Sequence, residues 1–149
     1  MLRYVIQKAT RNGDLEQTSD NSLVEDEGFE TVIAISFFTD ARATADELAK
    51  YGKEQRGYWL DAFEEDLTLN TGSKLWLLAG AVINDENIAT AKTFCDEALA
   101  WFVADGAALK IENTVERFDE DSIAGQTAIY RPTDPKSPYL MPWEAFFAV

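Results

Sequence analysis

RGYWLDAFEEDLTLNTGSKLWLL, residues 56 to 78, is the stretch on which the reading of this chain turns. It sets Tyr58, Trp59, Phe63 and Trp76 among leucines at 60, 67, 69, 75, 77 and 78. Aromatic side chains are the largest single burial units, each removing about 150–250 Å² from water. Arg56, Asp61, Lys74 and the pair Gly72-Ser73 interrupt the run and do not suit a plain buried helix. An apolar run broken in this way reads as a turn held inside a core, its polar groups given fixed partners. Trp59 and Trp76 are therefore expected in one core. Asp61 is expected to be hydrogen-bonded within it, to Arg56, Arg42 or Lys74.

Upstream, Met1 to Ala9 alternates loosely and reads as a strand, with Asn12-Gly13-Asp14 as a turn signal and room for a second short strand after it. Phe29, Val32, Ile33, Ser36 and Phe37 follow helical spacing, with Asp26 as N-cap and an end near Thr39-Asp40. Ala43 to Tyr51 is a second helix closed by Gly52. Gly72-Ser73 opens a short helix from Lys74 to Ala79, Ser73 being the N-cap.

Downstream, the longest helix spans about 85–104, with Ile88, Ala91, Cys95, Ala98, Leu99 and Phe102 as its apolar stripe. Asn84 or Asp85 starts it and Gly106 ends it. The period then becomes two: Leu109, Ile111 and Val115 alternate with polar residues, and Ile123, Thr127 and Ile129 repeat the pattern across Phe118-Asp119-Glu120-Asp121. That is a hairpin with one wet face. From Pro132 onward, prolines at 132, 135, 138 and 142 read against regular structure. Residues 1–131 are expected to form one α+β domain, with helices packed on one face of a mostly antiparallel sheet. Residues 132–149 are expected to form an apolar arm carrying Tyr139, Trp143 and Phe146. The arm either meets a neighbour, including a second copy, or packs on its own sheet.

Composition narrows the function. A chain of 149 residues fits one domain able to bury roughly two-thirds of its unfolded surface. With 46% hydrophobic residues it is too apolar for disorder, and no run reaches membrane-spanning length. The N-terminus lacks the pattern of a signal peptide, and the single Cys95 rules out an internal disulfide and suits a reducing cytoplasm. A net charge of −14 opposes binding to DNA or an anionic membrane. It leaves open an acidic DNA mimic, although the acidic groups at 25–27, 64–66 and 119–121 are scattered.

Histidine is absent, removing the commonest general base and metal ligand. One cysteine cannot build a zinc or iron–sulfur site. Gly72-Ser73-Lys74 lacks the preceding glycine of a phosphate loop. Asp119-Glu120-Asp121 lacks the spacing of a calcium loop. No cofactor or metal is expected. Asp61 with Glu64 or Glu65 remains as a paired-carboxylate alternative, the chemistry of a peptidoglycan-cleaving glycosidase.

RGYWLDAF followed by TGSKLWLL resembles the signature of the Mu-like bacteriophage tail protein family, small structural proteins of the contractile-tail baseplate. The likeness extends to Phe37-Phe38-Thr39-Asp40-Ala41-Arg42-Ala43, to Glu97-Ala98-Leu99-Ala100-Trp101 and to Asp105-Gly106-Ala107-Ala108. It thus covers residues 14–131. The family pattern differs at Tyr58, Leu60 and Lys74, where it has tryptophan, glycine and arginine. More distantly, the element order resembles the small wedge protein of contractile tails, whose long helix is followed by Glu-Pro-Arg where this chain has Ala104-Asp105-Gly106. The resemblance implies a non-enzymatic baseplate wedge subunit, assembled in the host cytoplasm with other wedge and sheath proteins and carried in the virion tail. Within it, Arg42 is either an internal cap or a bidentate anchor for a neighbouring subunit.

Overall fold

The computed structural model describes residues 4–7, 12–15, 28–63 and 70–146. Two short strands, β1 (Tyr4–Gln7) and β2 (Asn12–Leu15), pair antiparallel with Gln7 opposite Asn12. Asn12-Gly13-Asp14 therefore belongs to the second strand instead of to a turn. The expected N-cap Asp26 lies outside the described residues. Helix α1 (Phe29–Phe38) follows Gly28, whose φ of +90° is the left-handed backbone that glycine tolerates best. Thr31, Ile33, Ala34, Ser36 and Phe37 of α1 are buried, while Ile35 stands half in water.

Helix α2 (Ala45–Tyr51) is built as its sequence dictates at both ends. Thr44 accepts from the Glu47 amide and the Glu47 carboxylate accepts from the Thr44 amide, a reciprocal capping box. Gly52 closes the helix at φ +62°. The expected helix 85–104 is two pieces, α3 (Asp85–Ala98) and α4 (Ala100–Ala104), broken at Leu99. Its stripe holds through the break: Ala91, Cys95, Ala98, Leu99 and Phe102 are all buried. Nothing in the sequence at Leu99 explains the break. Asn84 caps the start by accepting from the Asn87 amide, and after Gly106 the Ala107 and Ala108 amides return to the Phe102 carbonyl.

The main sheet runs β3 (Lys110–Arg117), β4 (Ser122–Arg131) and β5 (Asp134–Phe146) in that spatial order, antiparallel throughout. The fold is α+β, as the change of period after Gly106 requires. Leu109, expected to face inward, precedes β3 and is exposed.

The largest departure is β5. The prolines do not prevent a strand because β5 is an edge, where half the amide positions face away from β4 and need no hydrogen. Pro138 and Pro142 share one parity and Pro135 falls at the register irregularity between Ile129 and Arg131. The other parity supplies Tyr139, Met141, Trp143 and Ala145 to the core, while Leu140 and Pro142 face water. Residues 134–146 are thus an edge strand of the sheet, and of the two alternatives left open by the sequence they pack on their own domain.

Trp143 sits at the junction of layers, its ring 5.2 Å from that of Phe37 on α1. It lies so close over Gly125 that a Cβ there would meet Trp143 Cζ2 at 2.3 Å. Glycine at 125 is the space the indole occupies.

Candidate functional site

The residues singled out by sequence separate into three groups. The first is a clasp joining the end of α1 to residues 70–78. Ser73 and Asp40 form a parallel bridge, with the Ser73 amide donating to the Thr39 carbonyl and the Ala41 amide to the Ser73 carbonyl, both at 2.9 Å. The Ser73 hydroxyl donates to the Phe37 carbonyl and accepts weakly from the Leu75 amide. Ser73 so stands one position before the cap of the 3-10 turn Leu75–Leu78, which is Lys74. Gly72, at φ +104°, passes so near Thr39 that a Cβ would lie 2.2 Å from its carbonyl oxygen. Trp76 is buried and donates from Nε1 to the Ala41 carbonyl at 2.8 Å.

Charged residues border this clasp. Arg56 stacks its guanidinium 5.5 Å from the Trp76 ring centre and pairs with Asp40 at 3.2 Å. Lys74 pairs with Glu47 at 2.8 Å and lies 3.6 Å from Glu97, joining α2, the 3-10 turn and α3. Burial pushes the Glu47 carboxyl up, but hydrogen bonds from Lys74 and Thr44 outweigh it and hold the group below its ordinary value. Burial pushes Lys74 down, and Glu47 with Glu97 more than restores it, so its pKa stands raised. Arg42 is exposed; its amide donates to Asn70 Oδ1 at 2.8 Å and its carbonyl accepts from Asn70 Nδ2 at 2.9 Å.

The second group is the 3-10 turn Trp59–Phe63, where the sequence expectation fails in part. Asp61 is buried, as expected, but its partner is none of the predicted cations. The Thr71 amide and hydroxyl each donate to one of its oxygens at 2.8 Å. Trp59 and Phe63 are 66% and 77% exposed, so Trp59 does not share the core with Trp76. The reason is geometric. A 3-10 turn advances about 120° per residue, so residues 59, 61 and 63 point three different ways. With Asp61 turned inward to Thr71, both aromatic rings are turned aside from the core. They meet each other edge to face at 6.1 Å, and Tyr58 lies 6.1 Å from Trp59.

The third group is on the sheet. Tyr139 donates its hydroxyl to Glu30 on α1 at 2.7 Å, and its ring lies 5.7 Å from Phe29. Phe146 pairs with Ser122 across β4–β5. Sequence reading missed a buried polar relay here: Trp143 Nε1 donates to Thr127 Oγ1 (3.1 Å), and Thr127 in turn to Asn113 Oδ1 (2.7 Å). Asn113 Nδ2 donates to Asp96 on α3 (2.9 Å), which Lys92 holds at 2.7 Å. The signal was present in Asn113 and Thr127, polar residues at inward positions of their strands.

For chemistry, both oxygens of Asp61 are taken, and Glu64 and Glu65 lie outside the described residues. Cys95 is buried, and burial pushes its thiol far above the ordinary value, which disfavours the reactive thiolate. Among the described residues no cluster of His, Cys, Asp and Glu is arranged to hold a metal, and no helix is long and apolar enough to cross a membrane.

The model of the family described as phage protein GP46 matches residues 29–136, taking in the clasp, the aromatic turn and most of the sheet. The baseplate protein gp46 of Escherichia phage Mu is 29% identical over 128 residues, 85% of this chain and 86% of that protein. The Mu-like prophage FluMu protein gp46 of Haemophilus influenzae is 34% identical over 100 residues, 67% of this chain and 65% of that one. The chain belongs to the phage protein GP46 family of Mu-like phages and prophages.

Proposed function

We propose that this protein is a structural subunit of a contractile-tail baseplate, placed in the wedge, where it works by assembly without turnover. The observation that carries the reading is the likeness to the Mu baseplate protein, which spans 85% of this chain and 86% of that protein. The folded surface is in keeping with it. The Asp61 carboxylate is tied to Thr71, while large apolar residues such as Trp59, Phe63 and Val82 face outward. Such exposure is characteristic of surfaces made to be covered. The partners are other wedge proteins and the tail sheath, the site of action is the virion tail, and assembly takes place in the host cytoplasm.

The test is genetic. A stop codon early in this gene, in an inducible phage or prophage carrying it, is expected to yield heads without complete tails by electron microscopy. Full-length protein supplied from a plasmid should restore them. Normal infectious particles from the stop-codon phage would overturn the reading. The glycosidase alternative is checked separately: purified protein should release no reducing ends from peptidoglycan.

A further inference from the structure

We infer that Pro138 and Pro142 close the outer edge of β5 against strand pairing, so that free copies of this chain do not join edge to edge. This property belongs to the free chain and holds with or without the baseplate role. All four prolines of the chain lie at 132, 135, 138 and 142, the last three within β5, and β3 and β4 hold none. Among the described residues, no strand pairs with the outer side of β5. The direction of each backbone group follows from the register. The Phe118 amide donates to the Ser122 carbonyl, so Ser122, Ala124, Gln126 and Ala128 turn their amides and carbonyls toward β3. Ile123, Gly125, Thr127 and Ile129 turn theirs toward β5, where they meet Ala145, Trp143, Met141 and Tyr139. By the same alternation, residues 138, 140, 142 and 144 point outward. Pro138 and Pro142 hold two of those positions and carry no N–H.

Without those prolines β5 would be an edge that recruits another strand. It is 13 residues long and carries an exposed leucine, Leu140, in the middle of its outward row. The ready partner for such an edge is a second copy, because identical strands pair antiparallel about a two-fold axis. Centred on Leu140, that pairing sets Pro138 of each copy opposite Pro142 of the other, and neither pair can form either of its hydrogen bonds. Centred on Pro142, it loses both bonds at the axis itself. The net charge of −14 adds repulsion between copies, but salt screens that repulsion and leaves the missing donors as they are.

Sedimentation velocity of the full chain at high salt tests this. Pro138→Thr/Pro142→Thr returns both N–H groups without touching the inner row, and circular dichroism should show an unchanged fold. Its self-association should tighten at least about tenfold over wild type. Adding Leu140→Lys, which sets like charges across the axis, should restore wild-type behaviour. Association no tighter than wild type in the folded double variant overturns the inference. Tightening that Leu140→Lys leaves in place also overturns it, since the contact then lies elsewhere. If the double variant does not fold, Pro142→Thr alone is judged by the same criteria, because it returns one bond to each Pro138–Pro142 pair.

Discussion

Two aromatic stretches of this chain exchange the places that composition alone would give them. Residues 56–63, dense in Tyr, Trp and Phe, form a platform on the surface. Residues 138–145, which hold Pro138 and Pro142, form part of an edge strand with its inner row in the core. Local density of apolar residues therefore does not decide burial here; backbone periodicity does. In β5 the alternation puts Tyr139, Met141, Trp143 and Ala145 on one face, and a strand needs only one apolar face to dock. In the turn Trp59–Phe63, no single face can collect residues 59, 61 and 63. The inward position goes to the carboxylate, whose two acceptors are matched by Thr71. The lesson concerns polar satisfaction: an inward Asp with two donors outranks two aromatic rings.

Breaking the comparison at its buried end should have the largest effect. Trp143→Ala empties the space over Gly125 and the contact with Phe37, and removes the donor to Thr127. The expected loss is about 3–5 kcal/mol, as for other large core aromatics, or on the order of 10 °C in Tm. Trp143→Phe should recover most of it, leaving the cost of the missing indole donor. Calorimetry of both variants checks this. A change below 1 °C for Trp143→Ala would mean that β5 is not docked in solution and would favour the other alternative left open by the sequence, an arm that meets a neighbour.

That result would also bear on what the sequence could disclose. The α+β class, α1, α2 with its Gly52 stop and the β3–β4 hairpin were legible because each shows its own period. Trp76, Ser73, Gly72 and the burial of Asp61 were legible from an apolar run containing residues that such a run does not ordinarily hold. The strand of Pro138 and Pro142 was not, because one cannot tell an edge from a central strand without knowing the sheet order. The partners of Asp61 were hidden for a different reason. Ion pairing is the natural guess for a buried carboxylate, whereas Thr71, ten residues further along the chain, offers neutral donors. The Asp96–Asn113–Thr127–Trp143 relay crosses three strands and a helix, and no linear spacing announces it.

The middle effect belongs to Asp61. Asp61→Ala leaves the Thr71 amide and hydroxyl without their acceptor, and hydrogen bonds to a charged group contribute about 1.5–3 kcal/mol. The expected loss is therefore about 2 kcal/mol by urea denaturation, smaller than a broken buried ion pair would cost. Asp61→Asn sharpens the point. The amide oxygen can still accept from the Thr71 amide, and the Thr71 hydroxyl can rotate to accept from the new NH₂. If Asn restores about half the loss, the site works by hydrogen bonding. An Asn variant as unstable as Ala would show that the negative charge itself is required, and a cation would have to be sought nearby.

The smallest effect lies at the Glu47–Lys74 pair, which ties the clasp to α2. Glu47→Gln is the informative change, because glutamine can keep the capping bond to the Thr44 amide and so removes only the charge. Both side chains are a quarter exposed or less, and a pair so placed contributes about 1 kcal/mol. The folded pKa of Glu47 is depressed, so its contribution is present above the ordinary value of 4.5 and lost as pH falls through the folded value. The folded pKa of Lys74 is raised, so its contribution is present below 10.5 and lost as pH rises through the folded value. The Tm difference between wild type and Glu47→Gln should accordingly form a plateau between those limits and shrink outside both. A difference that persists undiminished at acid pH would trace the loss to the helix cap, not to the charge. The clasp would then be held by the Asp40–Ser73 bridge, the Ser73–Phe37 and Trp76–Ala41 hydrogen bonds and the Arg56–Asp40 pair, with no contribution from the Glu47 charge.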